Sequence, residues 1–165
     1  MSHGVGQRLA AGCAAIVVMA TACRHRSDVP EPPRSEAVSD SIAGIVQVVG
    51  VAALPRIVLV REGAPTLTLS GPASLANLNG LKIGVVGQVD GSTLAVRRFT
   101  VLEANGVSAT DGRVIAEGDD LYLETADHVR HRLVNPSPRL RERVGHRVWV
   151  SGPLDKEPVA YGFID

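Results

Sequence analysis

Hydrophobic and polar positions divide the chain into three regimes. Leu9 to Ala22 is a charge-free run of 14 residues behind a short polar segment that carries Arg8. "RHRSDVPEPPRSEAVSDS", Arg24 to Ser41, has almost no apolar periodicity and is rich in Pro, Ser and charge. From Ile42 onward the pattern is that of short strands. "GIVQVVGVA" (Gly44–Ala52) and "RIVLV" (Arg56–Val60) are dense in Val and Ile. "TLTLS" (Thr66–Ser70) alternates with period two, as a strand with one buried face does. "LKIGVVGQV" (Leu81–Val89) and "STLAVRRFTVL" (Ser92–Leu102) follow, punctuated by the turn signals "EGAP", "SGP", "NLNG" and "DGS". "SLANLNG" (Ser74–Gly80) predicts one helical turn, capped by Ser74 and stopped by Gly80.

The order then repeats. "GRVIAEG" (Gly112–Gly118), "DLYLET" (Asp120–Thr125) and "HVRHRLV" (His128–Val134) predict three strands. "SPRLRERVG" (Ser137–Gly145) predicts a helical turn with Pro138 at its first position. "HRVWVSGPL" (His146–Leu154) and "PVAYGFI" (Pro158–Ile164) predict two more strands. A shift of 65 residues aligns Leu75 with Leu140, Gly80 with Gly145, Val85 with Val150, Gly87 with Gly152 and Asp90 with Asp155. Two copies of one unit are expected, Ile42–Asn105 and Gly106–Asp165.

Composition narrows the picture. Apolar residues make up 45% of the chain but aromatics only 3%, so the core must be aliphatic. The formal net charge is zero, and no overall field draws the chain to nucleic acid or an anionic surface. The two cysteines, Cys13 and Cys23, both precede the strand-rich body. A disulfide framework and a cysteine-built zinc site are thereby excluded from that body.

The apolar run is too short to cross a bilayer comfortably and has the length of a signal-peptide core. Its closing residues, Ala20, Thr21, Ala22 and Cys23, resemble the lipobox of bacterial lipoproteins. That resemblance implies cleavage after residue 22 and a diacylglycerol on Cys23. The partner it implies is the membrane, held through lipid. Each buried methylene contributes about 0.8 kcal/mol, so several acyl chains hold a protein without a spanning helix. The usual pattern has Leu where this chain has Ala20. A simple secretory signal and an uncleaved anchor are the alternatives. Residues 23–41 are expected to be a disordered tether, extended by Pro30, Pro32 and Pro33. Arg24, rather than Asp, follows the cysteine, which by the same resemblance favours the outer membrane of a double-membraned host.

Strand, strand, strand, short helix, strand, strand is the order of the OB-fold. The stretches "LANLNGLKIGVVGQV" and "LRERVGHRVWVSGPL" resemble the helix-to-strand passage of small OB-like domains in exported bacterial proteins, a group of uncharacterised function. The expected fold is therefore all-β: two tandem five-stranded OB-like small barrels, each with one short helical turn. A single β-sandwich or a merged barrel is the alternative.

The densest polar feature is His128–Arg147, with six Arg and three His. Arg130, Arg132, Arg139, Arg141 and Arg147 form a candidate anion-binding face. Its competing reading is a solvated face neutralised by the preceding Asp111, Glu117, Asp119, Asp120, Glu124 and Asp127. An exported location disfavours nucleic acid and favours an envelope polymer or a protein partner. Trp149, in a Val-flanked strand, is expected in the core. His128 and His131, three apart in a predicted strand, would face opposite sides, which opposes a shared metal. No nucleophile motif is present. The expectation is a non-catalytic, cofactor-free binding or assembly module of the cell envelope. An envelope hydrolase with a dispersed site, or a purely structural stress protein, are the alternatives.

Overall fold

A computed structural model describes residues 41–51 and 55–165. The expected export signal, Cys23 and nearly all of the expected tether lie outside the described residues. The body is mostly β. Its first half holds β1 (Ile42–Val49), β2 (Arg56–Arg61), β3 (Ala64–Ser70), a 3-10 turn (Ala73–Leu78), β4 (Lys82–Asp90) and β5 (Thr93–Ala104). β1 pairs with both β2 and β4, β2 with β3, β3 with β5 in parallel, and β5 with β4. Those pairings close a five-stranded barrel in the OB order. Alternation decides its inside: Val46, Leu59, Ile83, Val85 and Leu94 are fully buried, while Leu75 and Leu78 from the 3-10 turn plug one end.

The second half holds β6 (Val107–Glu117), β7 (Asp120–Glu124), β8 (Arg130–Arg132), α1 (Pro138–Arg141), β9 (Arg147–Ser151) and β10 (Ala160–Phe163). The pairing order is β8-β7-β6-β9-β10. It is the same succession of neighbours as in the first half, with one ladder fewer. Thr68 to Ser70 of β3 pair with Thr93 to Ala95 of β5, whereas β8 pairs only with β7 and β10 only with β9. The second half is thus an open sheet around its own core of Val114, Leu121, Leu123, Leu133, Leu140, Val148 and Val150.

The repeat extends to individual hydrogen bonds. Val46 donates its N–H to the Leu81 carbonyl and accepts from Gly80. Val114 donates to the His146 carbonyl and accepts from Gly145. Gly80 and Gly145 have φ of 83° and 87°, left-handed backbone that disfavours a Cβ. Each ends the helical turn and turns the chain into the fourth strand of its half.

Local expectations fail in three places. Ser74 does not cap the 3-10 turn; Pro72 precedes it and no side chain caps it. The expected strand His128–Val134 shortens to Arg130–Arg132, because His128 takes φ 65° in a turn. β6 starts at Val107, five residues before the expected Gly112, because the chain crosses from β5 through a two-residue hairpin. Asn105 and Gly106, φ 52° and 76°, supply that turn. Pro138 does open α1, and the Ser137 hydroxyl accepts from the Leu140 N–H at 3.3 Å.

The two halves share more than a hairpin. Ile164, next to the C-terminal residue, is buried in the first core, and Asn77 Nδ2 donates to its carbonyl at 3.1 Å. Trp149 is only partly buried and packs against the same first core.

Candidate functional site

The β5–β6 hairpin splays immediately after its turn. The two strands pair only at Glu103–Ser108 and Ala104–Val107. Beyond that, β5 keeps β4 on one side through residues 98–102, and β6 keeps β9 on one side through residues 109–112. A cleft of about 610 Å³ opens along these two stretches, completed by the β7–β8 turn at residues 124–128 and by Arg147. Its volume lies within the range of small-ligand pockets, about 300–1,000 Å³.

One ion pair bridges the splay. Asp111 of β6 is 5% exposed at its side chain, and Arg147 of β9 is 30% exposed. Arg147 Nε donates to Asp111 Oδ2 at 2.8 Å, and its terminal nitrogen donates to the same oxygen and to the Phe99 carbonyl at 2.7 Å. Asp111 Oδ1 accepts the Val101 N–H at 2.7 Å. Two β5 backbone groups thereby receive from side chains the partners that an adjoining strand would supply. The Arg147 guanidinium also lies 4.4 Å from the Phe99 ring centroid.

The β7–β8 turn forms the opposite lip. His128 N–H donates to the Thr125 carbonyl at 2.9 Å, and Thr125 N–H to the Val129 carbonyl at 3.0 Å. The Thr125 hydroxyl donates to the Asp127 carboxylate. That bond holds Asp127 below its ordinary pKa of 3.8, helped by the amides of Asp127 and Val129 and by nearby His131.

The candidate arginines do not converge. Arg130 pairs with Glu117 and, at 3.0 Å, with Glu124; Arg132 pairs with Asp120 at 2.7 Å. Both guanidinium pKa values are raised, first by hydrogen bonds to Glu124 and Asp120 respectively and then by the surrounding negative charge. Arg141 donates to the Asp119 carbonyl at 3.0 Å. Arg139 lines a small surface pocket with Glu142, Arg143 and Phe163, where Arg143 stacks 4.7 Å from the Phe163 ring centroid. Arg147 faces the cleft and serves Asp111. An anionic ligand on β8 would have to displace carboxylates already in place. His128 and His131 are separated by the turn, and among the described residues no group of three or more His, Cys, Asp and Glu could hold a metal.

Arg98 is different. It lines the cleft, is exposed, and has no carboxylate partner among the described residues. Sequence reasoning passed over Arg98 and placed Asp111 only among the acidic residues that neutralise the arginine face. The available signal for Asp111 was its spacing: it stands two residues after Ala109, on the inward phase of an alternating run, where a carboxylate requires a partner.

Comparison with known protein families, with curated proteins and with solved structures finds no match for this chain.

Proposed function

We propose that this chain is an exported, lipid-anchored, non-catalytic binding or assembly module of the bacterial cell envelope, held at the membrane through Cys23. On this reading the body is a pair of OB-like units, the first closed and the second open. The observation that carries the binding role is the cleft between the splayed strands. It is about 610 Å³ in volume, edged by strand backbone, and braced by a buried ion pair. A brace of that kind keeps a cleft open in a preformed shape, which lowers the ordering cost of binding. The anchoring role rests on the charge-free run Leu9–Ala22 and on Cys23 at its end. The cleft, rather than the arginine face, is the better binding surface, because Arg130 and Arg132 are matched by Glu117, Glu124 and Asp120.

The test expresses the full chain and its Cys23→Ser variant in a bacterial host fed labelled fatty acid. The parent chain takes up label and sediments with membranes; the variant does neither. Membrane association that survives the substitution without label overturns the lipid anchor in favour of an uncleaved helix.

A further inference from the structure

We infer that the free edge of β8 receives an extended segment of a partner polypeptide, running parallel to β8 with an apolar side chain turned into the second core. The first half supplies the pattern. There β3 is closed by the start of β5. Thr68, Leu69 and Ser70 pair in parallel with Thr93, Leu94 and Ala95, and the Thr68 N–H donates to the Ser92 carbonyl at 2.8 Å. Leu94 is fully buried there. Leu59 lies over Gly44 as Leu123 lies over Gly112, so the pairs Val58–Thr68 and Tyr122–Arg132 correspond. Arg132 thus stands where Thr68 stands, but β8 pairs only with β7. The second half lacks the arm that would close it. β4 runs to Asp90 and β5 starts at Thr93, whereas β9 stops at Ser151 and β10 starts at Ala160. Between the last two, Pro153 and Pro158 lack the amide a ladder needs. That connection folds back on itself, with Lys156 N–H donating to the Pro153 carbonyl and Val159 N–H to the Ser151 carbonyl.

The counterpart of Leu94 is therefore missing, and the second core is less well covered. Phe99 and Val101 of β5, opposite Val85 and Ile83, are buried. Tyr161 and Phe163 of β10 take the same places opposite Val150 and Val148 and are only partly buried. The β8 edge beside them has free backbone. Leu133 N–H donates to the Leu121 carbonyl and Thr125 N–H to the Val129 carbonyl, so residues 129, 131 and 133 face β7. The N–H and C=O of Arg130 and Arg132 point the other way, and among the described residues nothing bonds them. The Arg130 and Arg132 side chains do not fill that side: they turn to Glu117 of β6 and to Glu124 and Asp120 of β7. An unpaired edge beside an incompletely covered core is a template for strand addition, in which backbone bonds hold the segment and one inward side chain selects it.

The probe is the strand that closes the first half, synthesised as the free peptide Gly91–Arg97 and titrated into the purified full chain. Amide resonances at residues 130–134 are expected to shift. Leu94→Asp in the peptide lowers its affinity about tenfold or more, because the inward side chain no longer gains from burial. N-methylation at Leu94 lowers it roughly fivefold by removing one ladder donor. Both changes lie in the peptide and leave the fold of the protein untouched. Equal affinity of the altered peptides, no binding, or shifts confined to Thr66–Ser70 overturns the inference. A dimer whose dissociation on dilution shifts the same β8 amides also overturns it, since a second copy would then fill the edge.

Discussion

Arg147 and Asp111 lie 36 residues apart in sequence, yet the first saturates one oxygen of the second while its other oxygen holds the Val101 amide. The pair joins three strands: β5 through Phe99 and Val101, β6 through Asp111, and β9 through Arg147. Among the described residues it hydrogen-bonds the second half by side chains into the barrel wall of the first beside the cleft. A carboxylate this buried is tolerable only with its cation and its amide donor in place.

Removing one partner should therefore be costly. Asp111→Ala is expected to destabilise the body by about 3 kcal/mol, at the low end for a broken buried pair because Arg147 keeps some contact with water. Arg147→Met should cost a similar amount by leaving the carboxylate unpaired. The double variant should cost less than the two together, and urea denaturation of all four proteins measures the difference. A change within about 0.5 kcal/mol for Asp111→Ala would class it with ordinary surface substitutions and refute the bracing role.

The arginines of β8 should behave in the opposite way. Arg130 and Arg132 are about half and two-thirds exposed at their side chains, and solvent screens their pairs. Arg130→Gln and Arg132→Gln are each expected to leave the urea midpoint almost unchanged, with any effect shrinking further in high salt. A fall in the midpoint as large as that of Asp111→Ala in either would show that this network, and not the Asp111–Arg147 pair, holds the second half together.

The sequence foretold where strands lie better than what joins them. Period-two runs such as "TLTLS" and "DLYLET" became β3, longer by two residues, and β7, shorter by one, because one face of each is buried. The 65-residue repeat located both helical turns and both glycines that end them, since those depend on local backbone geometry. The start of β6 was hidden: Ser108, Thr110 and Asp111 break the apolar run, and only the Asn105-Gly106 turn betrays the hairpin. The charge of the arginine face was visible, but its neutralisation depends on register. Glu124 faces Arg130 across the β7–β8 ladder, a fact no composition contains. The cleft was illegible for a related reason. It arises where pairing stops, and the point at which two strands part is set by contacts distant in sequence.

Acid should loosen the lip of the cleft in a defined order. Asp127 is held below 3.8, chiefly by the Thr125 hydroxyl. A carboxyl with a depressed folded pKa favours the ordered turn above its unfolded value, and that preference fades as pH falls through the folded one. The turn should thus stay ordered at pH 5 and loosen only below pH 3.8. Thr125→Val should move the Asp127 midpoint part of the way back up, because the amides of Asp127 and Val129 still donate. A carbon-detected NMR titration reads both midpoints; an unchanged value in Thr125→Val would remove the hydroxyl as the cause.

Equivalent glycines in the two halves should give equivalent damage. A Cβ on Gly44 would sit 2.7 Å from the Val60 carbonyl oxygen and 2.8 Å from Leu59 Cγ. A Cβ on Gly112 would sit 2.5 Å from the Glu124 carbonyl oxygen and 3.0 Å from Leu123 Cγ. In each case the obstacle includes backbone of the neighbouring strand, which cannot swing aside as a side-chain tip can. Each glycine also lies two residues before the buried valine that holds the fourth strand, Val46 or Val114. Gly44→Ala and Gly112→Ala are each expected to cost about 1–3 kcal/mol, the usual range for an overpacked interior. The closed barrel can spread the strain over five ladders, whereas the open sheet can relax at β8. Gly112→Ala should therefore raise amide exchange mainly in β7 and β8, and Gly44→Ala should raise it around the whole first barrel. Exchange that rises only near the substituted residue in both variants would show that the two closures do not differ mechanically.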